Sequence, residues 1–366
     1  MSISPERETR ELRLRQIRRE AELRARTVSK LTPTGGSESP ATNGHGALED
    51  FQPSGSATPQ TGYYGMPLLK TPAWTWEVPL YFFVGGAAGA SAMLASVGKL
   101  SGADRSMIRD ARWLAAIGGA ISPALLISDL GVPRRFLNML RIFKVQSPMS
   151  VGSWTLVCFS STAAAAALLT ELESRRALRS IPILTDAAEI GSALTGLVLA
   201  TYTGVLVGAT AIPAWSENVS LIPIHFASSG LSAAVSLLEL RGHTSTALNK
   251  IGIGATVVET AIGASLELGK NPATEPLHHG PTGWTMRIAG LLSGPVPLAL
   301  RLLSLTSRSR RSNQLRRAAA ISSVAGSLIT RWAWVYAGRA SSKDPKVPLQ
   351  LPGPARPDIT QVPEDK

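Results

Sequence analysis

Eight apolar runs of near membrane-spanning length fill the middle of the chain, and they limit its fold more than any other feature. A bilayer core about 30 Å thick is crossed by about 20 apolar residues in a helix. In lipid a helix satisfies its own backbone hydrogen bonds, whereas an open strand does not. We therefore predict an all-α polytopic membrane protein with eight transmembrane helices, at residues 76–98, 113–130, 149–170, 187–212, 219–240, 251–268, 284–304 and 318–338.

Polar residues are concentrated at the two ends of the chain. The 366 residues are 44% hydrophobic and 17% charged, which would suit a soluble protein if these residues were evenly spread. Residues 1–62 are charged and then rich in Pro, Gly and Ser, which predicts a mostly disordered tail. We expect a membrane domain over 63–340 and a polar tail over 341–366. Arg18 and Arg19 are not followed by an apolar core, so no cleavable signal peptide is expected.

The net charge of +12 is typical of nucleic-acid binding, but the positions of the basic residues favour a membrane. They lie mostly in loops without interleaved aromatic residues, so we expect contact with anionic lipid and no nucleic-acid binding. Loops after the odd-numbered runs carry fourteen Lys and Arg, against five after the even-numbered runs. The positive-inside rule then places the odd loops in the cytoplasm and both termini outside. Nine basic residues in 1–30 oppose this orientation, but they lie beyond the range over which the rule applies.

The stretch from Asp129 to Trp154 joins the second and third runs and is too charged to remain in lipid. Its apolar residues recur at helical spacing, which predicts a short helix flat on the membrane surface, bounded by Pro133 and Pro148 after a turn at Gly131. An ordinary basic loop is the alternative. The predicted apolar side is Phe136, Met139, Leu140 and Phe143, and the opposite side is Arg134, Arg135, Asn138 and Arg141.

Charges within apolar runs are costly, which makes them candidates for function. Asp129, Glu259 and Arg331 are the candidate catalytic residues. Asp129 ends an apolar run beside the basic loop and is the best candidate to accept a proton. For Glu259 and Arg331, a structural ion pair between helices is the alternative.

Four segments resemble the NrfD/polysulfide-reductase family of membrane subunits. They are TPAWTWEVPLYFFVGGAAGAS, LISDLGVPRRFLNMLRIFKVQSPMSVGSW, TYTGVLVGATAIPAW and LITRWAWVYAGRASSKDP. The resemblance implies two four-helix bundles in a bacterial inner (cell) membrane. It also implies an Fe–S partner subunit and a molybdopterin-type catalytic subunit with molybdenum or tungsten. This chain would then bind quinone or menaquinone and exchange electrons with the Fe–S partner.

Metal centres of its own are not expected in this chain. Cys158 is the only cysteine, so the chain alone does not ligate an Fe–S cluster. A membrane cytochrome b needs pairs of histidines within its spans, and of five histidines only His225 lies in one. We therefore expect neither haem nor another metal, and interpret His225 as a hydrogen-bonded residue of the helix bundle.

Quinone chemistry needs an apolar cavity with donors for two carbonyl oxygens, and three residues are candidates for that site. The resemblance points to Tyr202 of the TYTG motif, and Tyr81 with Glu77 shares one face of the first helix. Tyr202 lies about ten residues from Pro213, or roughly 15 Å, so we expect it deep in the cavity. Each residue has a simpler alternative. Tyr202 could be a packing aromatic with its hydroxyl hydrogen-bonded within the protein, Tyr81 could anchor the helix at the membrane interface, and Glu77 could be a solvated carboxylate at the helix entry.

The resemblance assigns the partner contact to the arginine face, with Arg134, Arg135 and Arg141. Two other functions remain open. A passive anchor would only dock the catalytic subunits, and it needs no charges in its spans. A proton- or ion-translocating module favours inverted repeats with paired broken helices. Pro295 and Pro297 interrupt the seventh run, without a counterpart in the other half.

Overall fold

A computed structural model describes residues 69–132, 134–174, 182–269 and 275–343, and these residues form helices joined by turns, with no strand among them. The predicted tail at 1–62 lies outside the described residues. The helices are α1 (Glu77–Leu100), α2 (Arg105–Asp129), α3 (Arg134–Met139), α4 (Pro148–Ser174), α5 (Pro182–Gly208), α6 (Pro213–Ser216), α7 (Leu221–Leu240), α8 (Thr246–Leu268), α9 (Glu275–His278), α10 (Gly280–Ser293), α11 (Pro295–Thr306) and α12 (Ser309–Lys343).

The predicted multi-pass helical architecture is confirmed for the part of the chain that the structure describes. Seven of its helical segments are long and apolar enough to cross a membrane: α1, α2, α4, α5, α7, α8 and the α10–α11 pair. The predicted interruption of the seventh run is also confirmed, because the helix breaks at Gly294, directly before Pro295. The eighth run lies in α12, whose 35 residues extend about 50 Å but are less apolar than the other spans.

The long helices pack in two groups. In the first group, α1 contacts α2 and α5, and α4 contacts the same two helices. In the second group, α7, α8, α10 and α11 pack around α12 or beside each other. Helix α7 joins the groups, since it also contacts α1 and α5.

Small residues allow the closest helix crossings, as the GGAAGA run of α1 predicts. A Cβ atom added at Gly89 would overlap the carbonyl oxygen of Gly196 on α5. One added at Gly86 would lie 3.8 Å from the Gly230 Cα on α7. Helices in lipid approach through such residues because van der Waals packing, rather than water exclusion, holds them together.

Successive spans alternate in direction, so the structure has two ends with different polar contacts. The Asp129 end holds the starts of α1, α4 and α7 with the ends of α2 and α5. The opposite end carries two ionic clusters, each around a buried glutamate. In one, Arg112 of α2 and Lys99 of α1 bind Glu189 of α5, at 2.6 and 3.0 Å. In the other, Glu239 of α7 lies 2.8 Å from Arg301 and 2.7 Å from Arg316.

Candidate functional site

Two predicted carboxylates meet at the Asp129 end of the first group. Thr75, just before α1, donates its backbone N–H to Asp129 Oδ1 at 3.1 Å. The Thr75 hydroxyl lies 2.6 Å from the same oxygen and also within hydrogen-bond distance of Glu77. Because a hydroxyl has one proton, it donates to one carboxylate at a time. Asp129 and Glu77 are therefore connected through Thr75, although 52 residues separate them in the chain.

Tyr81 lies one helical turn beyond Glu77, on the same face of α1, and only 2% of its surface is exposed. Gly85 lies between Tyr81 and Ser122, and its missing side chain leaves a small space there. The Tyr81 ring and the Ser122 hydroxyl are each 3.5 Å from the position that a Gly85 Cβ would occupy. Ser122 Oγ is buried and has no hydrogen-bond partner among the described residues. An unpaired buried polar group costs about 1–3 kcal/mol. Tyr81 and Ser122 thus face a place where a polar ligand atom is favourable.

Tyr202 also belongs to this region, with its hydroxyl donating to the carbonyl oxygen of Pro148. Gly152 on α4 makes room, because a Cβ there would overlap the tyrosine ring. Pro148 begins α4 and α5 ends at Gly208, so Tyr202 is nearer the Asp129 end than the distance to Pro213 predicts. The Tyr202 hydroxyl proton is already in a hydrogen bond within the protein, which fits the alternative of a packing aromatic. The hydroxyl oxygen can still accept a hydrogen bond.

Tryptophans from three of the quoted motifs fix the start of α1. Trp74 stacks on Trp215 of α6, with ring centroids 5.1 Å apart and planes 18° apart. The Trp215 indole N–H donates to the Trp334 carbonyl oxygen at 2.8 Å, and Gly338 leaves space for the ring. This Trp215 cluster places Thr75, the next residue after Trp74, beside Asp129.

The basic loop lies at the same end with its charges outward. Arg134, Arg135 and Arg141 are all exposed, and no salt bridge to them occurs within the described ranges. The turn before α3 has Gly131 at φ 66°, a conformation that favours glycine, as predicted. Helix α3 ends at Met139, so Phe143 is not on its apolar side as the spacing predicts.

Phe143 instead connects the loop to α4. It is 55% exposed, and its ring meets Trp154 edge to face at 6.3 Å. Ser150 supports the same turn, with its hydroxyl accepting from the Lys144 N–H at 3.0 Å and donating to the Ile142 carbonyl oxygen at 3.1 Å. The Trp154 indole N–H is buried without a partner among the described residues, so it is a further unused donor in the first group.

Glu259 and Arg331 belong to the second group, but Arg331 also reaches the first: its Nη2 lies 3.5 Å from where a Gly86 Cβ on α1 would stand. The Arg331 guanidinium is fully buried, 4.2 Å above the Phe226 ring, and donates to the Phe226 carbonyl oxygen at 2.9 Å. Glu259 interacts electrostatically with Arg331, but no direct ion pair joins them in the described residues. His225 accepts from the Trp334 indole N–H at 3.2 Å, so its interpretation as a hydrogen-bonded bundle residue is confirmed.

Sequence reasoning did not single out several residues that matter here. Thr75, Ser122 and Trp154 carry no charge or periodicity that marks them, and only their neighbours in space give them a role. Among the described residues, no group of three or more His, Cys, Asp or Glu side chains is arranged to hold a metal ion.

The fold and the site together define a multi-pass helical membrane protein with paired carboxylates and unused donors at one end of its first helix group. Residues 60–343 match the family described as polysulfide reductase, of the NrfD type. The chain belongs to this family, which makes it a membrane subunit of an oxidoreductase complex. No curated protein matches the chain significantly.

Proposed function

We propose that this protein is the quinone-reactive subunit of its complex and passes electrons between an Fe–S partner subunit and the membrane quinone pool. The proposal includes eight spans in two four-helix bundles, corresponding to the two helix groups with α12 as the eighth span. It places the protein in a bacterial inner membrane with both termini outside. A molybdopterin-type subunit would carry the terminal chemistry.

One observation carries the proposal. Asp129 and Glu77 both lie within hydrogen-bond distance of Thr75. Tyr81 is one helical turn along α1 from Glu77, and the unpaired Ser122 hydroxyl is about two turns along α2 from Asp129. A ligand pocket needs apolar walls with a few convergent polar groups, and a proton route needs an acceptor near water. This end of the first group has polar groups beside buried apolar side chains, and Asp129, a proton acceptor, is half-buried and connects to the exposed Thr75.

A bound quinone supplies a carrier for two electrons and two protons. The chain's own residues would hold its head by hydrogen bonds from Tyr81, Ser122 and Trp154. Of these donors, Ser122 Oγ and Trp154 Nε1 are buried without a hydrogen-bond partner among the described residues. Asp129 would accept or return a proton, with the Thr75 hydroxyl relaying it to Glu77. The apolar residues around Tyr81, including Phe82 and Leu199, exclude water from that place.

Substitution of Asp129 by Asn tests the role in proton transfer. Asp129→Asn keeps the shape and the bond from Thr75 but removes a proton acceptor, so we expect quinol-linked turnover to fall by about 10²-fold or more. Dye-linked activity of the catalytic subunit should stay unchanged in the same preparation. Glu275→Gln, an exposed carboxylate on α9, is the matched control and should keep both activities. Normal quinol turnover in Asp129→Asn would favour the passive anchor.

The exposed arginine face is the proposed contact for the Fe–S partner. Replacing Arg134, Arg135 and Arg141 together by Gln should release the partner at lower salt than wild type, because exposed charge pairs are screened by ions. Co-purification across a salt series is the measurement. The control replaces three exposed arginines at the opposite end and removes the same charge: Arg308, Arg310 and Arg311. Equal partner loss in both triple variants would argue against a specific docking face.

A further inference from the structure

A cavity of about 390 Å³ opens in the second helix group, between α8, α9 and α10. Its walls are mainly apolar, and the connected pair Glu267–Arg287 lies at its partly exposed rim, with Arg287 Nε 2.8 Å from Glu267 Oε1. Glu259 and His225 line it as well, and both are almost completely buried. This second-group cavity is therefore an apolar space with a charged rim and a polar deep end.

The polar deep end has unused hydrogen-bonding groups. Neither Glu259 oxygen has a hydrogen-bond partner of good geometry among the described residues. The Ser229 and Ser293 hydroxyls approach the carboxylate, but Ser229 donates to Ser327 instead, at 2.8 Å, and Ser293 Oγ is itself unpaired. Buried carboxyl groups in native proteins are nearly always hydrogen-bonded, so a ligand group that pairs with Glu259 beside these two serines is favourable.

His225 determines which kind of group fits. Its Nδ1 accepts the hydrogen bond from Trp334, so in the neutral ring the proton is on Nε2. Nε2 lies 4.0 Å from Glu259 Oε2, too far for a direct hydrogen bond. An oxygen atom beside both can lie within about 2.8 Å of each. A hydroxyl can accept from His225 and donate to Glu259, and it pairs with Glu259 in either protonation state. A carbonyl or ether oxygen has no proton to donate to an ionised Glu259.

We propose that the second-group cavity is a binding site for a lipid-soluble alcohol, with its hydroxyl placed between His225 Nε2 and Glu259. The apolar walls take the hydrocarbon body, and the hydroxyl pairs with the Glu259 carboxyl group. A lipid acyl chain would fill the walls but leave Glu259 unpaired. The site is separate from that of Asp129 and Tyr81, and its existence does not depend on the proposed function of those residues.

Two probes of nearly equal shape test the hydroxyl. The fluorescent alcohol 2-naphthol has the donor, and 2-methoxynaphthalene has the same rings without it. With the full chain in lipid nanodiscs, saturable binding of 2-naphthol should be about tenfold tighter or more, because the ether leaves the buried polar groups unsatisfied. Equal affinities, or no saturable binding of 2-naphthol, would overturn the proposal and indicate an acyl-chain groove.

Variants place the binding in this cavity. Gly263 and Gly290 line it, and a Cβ at either meets nothing within 4 Å, so Gly263→Leu fills the cavity without a backbone clash. It should weaken both probes by about tenfold or more. Gly254→Leu is the matched control, since Gly254 lies on the exposed face of the same helix with equally open surroundings. Unchanged binding in Gly263→Leu, with Gly254→Leu like wild type, would place the probe elsewhere and refute the site.

The carboxylate is tested last. Glu259→Gln keeps the shape and replaces the carboxyl group by an amide that offers only one acceptor oxygen, so most of the preference for 2-naphthol over its ether should disappear. Asp129→Asn should keep the full preference, because it alters only the first helix group. A preference that persists in Glu259→Gln, or that vanishes in Asp129→Asn, would contradict the assignment, and the second result would place the alcohol in the first group.

Discussion

The buried ionic cluster around Glu239 should be a major source of stability at the end opposite Asp129. Glu239, Arg301 and Arg316 have 2%, 0% and 7% exposure, and one carboxylate balances two guanidiniums. Arg316 donates through Nε and Nη2 to Glu239 Oε1, at 3.1 and 2.7 Å. Arg301 Nη1 lies 2.8 Å from Oε2 but off the hydrogen-bond direction, so its attraction is mainly charge–charge. Removing the carboxylate therefore leaves two buried cations uncompensated.

Glu239→Gln changes the charge and preserves the shape. Breaking a buried pair by removing one partner costs about 3–5 kcal/mol, and here both arginines lose their counter-ion, which favours the upper end. The backbone oxygens of Thr244 and Ser245 still accept from Arg316, which prevents complete loss. The measurement is the free energy of unfolding in mixed micelles titrated with dodecyl sulfate.

Glu267→Gln is the control, with identical chemistry at an exposed pair. Its bridge to Arg287 has side chains 45% and 42% exposed, so its loss should cost at most about 1 kcal/mol. Changing Arg301 to Met in the Glu239→Gln background should restore part of the stability, since one unpaired cation disappears. Similar destabilisation in Glu239→Gln and Glu267→Gln would refute the reasoning that burial sets the magnitude.

Two further predictions concern packing and orientation. Gly338→Ala should lower the free energy of unfolding by about 1–3 kcal/mol, because the new Cβ overlaps the buried Trp215 ring. Gly254→Ala has open surroundings and should be near neutral in the same assay, and equal effects of the two changes would argue against this contact. Reporter fusions after Ser101 should be cytoplasmic and after Lys144 external, and the reverse result would invert the proposed orientation.

The spans were predictable because membrane insertion depends on a local property, the length of an apolar run. The run predicted at 149–170 is helix α4, from Pro148 to Ser174, and that at 251–268 ends with α8 at Leu268. Helix α12 carries charges and is less apolar than the other spans. Arg331 within it is tolerated because tertiary neighbours cover it: it has no exposed surface and lies over Phe226.

The sequence by itself thus determined the class of protein, the helices and the family, and it marked Asp129, Glu77 and Tyr81 as candidates. Only the tertiary structure decided which polar groups meet. Thr75 reaches Asp129 because the Trp74–Trp215 stack holds the start of α1 against α6. Such pairings depend on the rotation and depth of each helix against its neighbours, which are set by close packing over the whole bundle. No pattern within one helix encodes them.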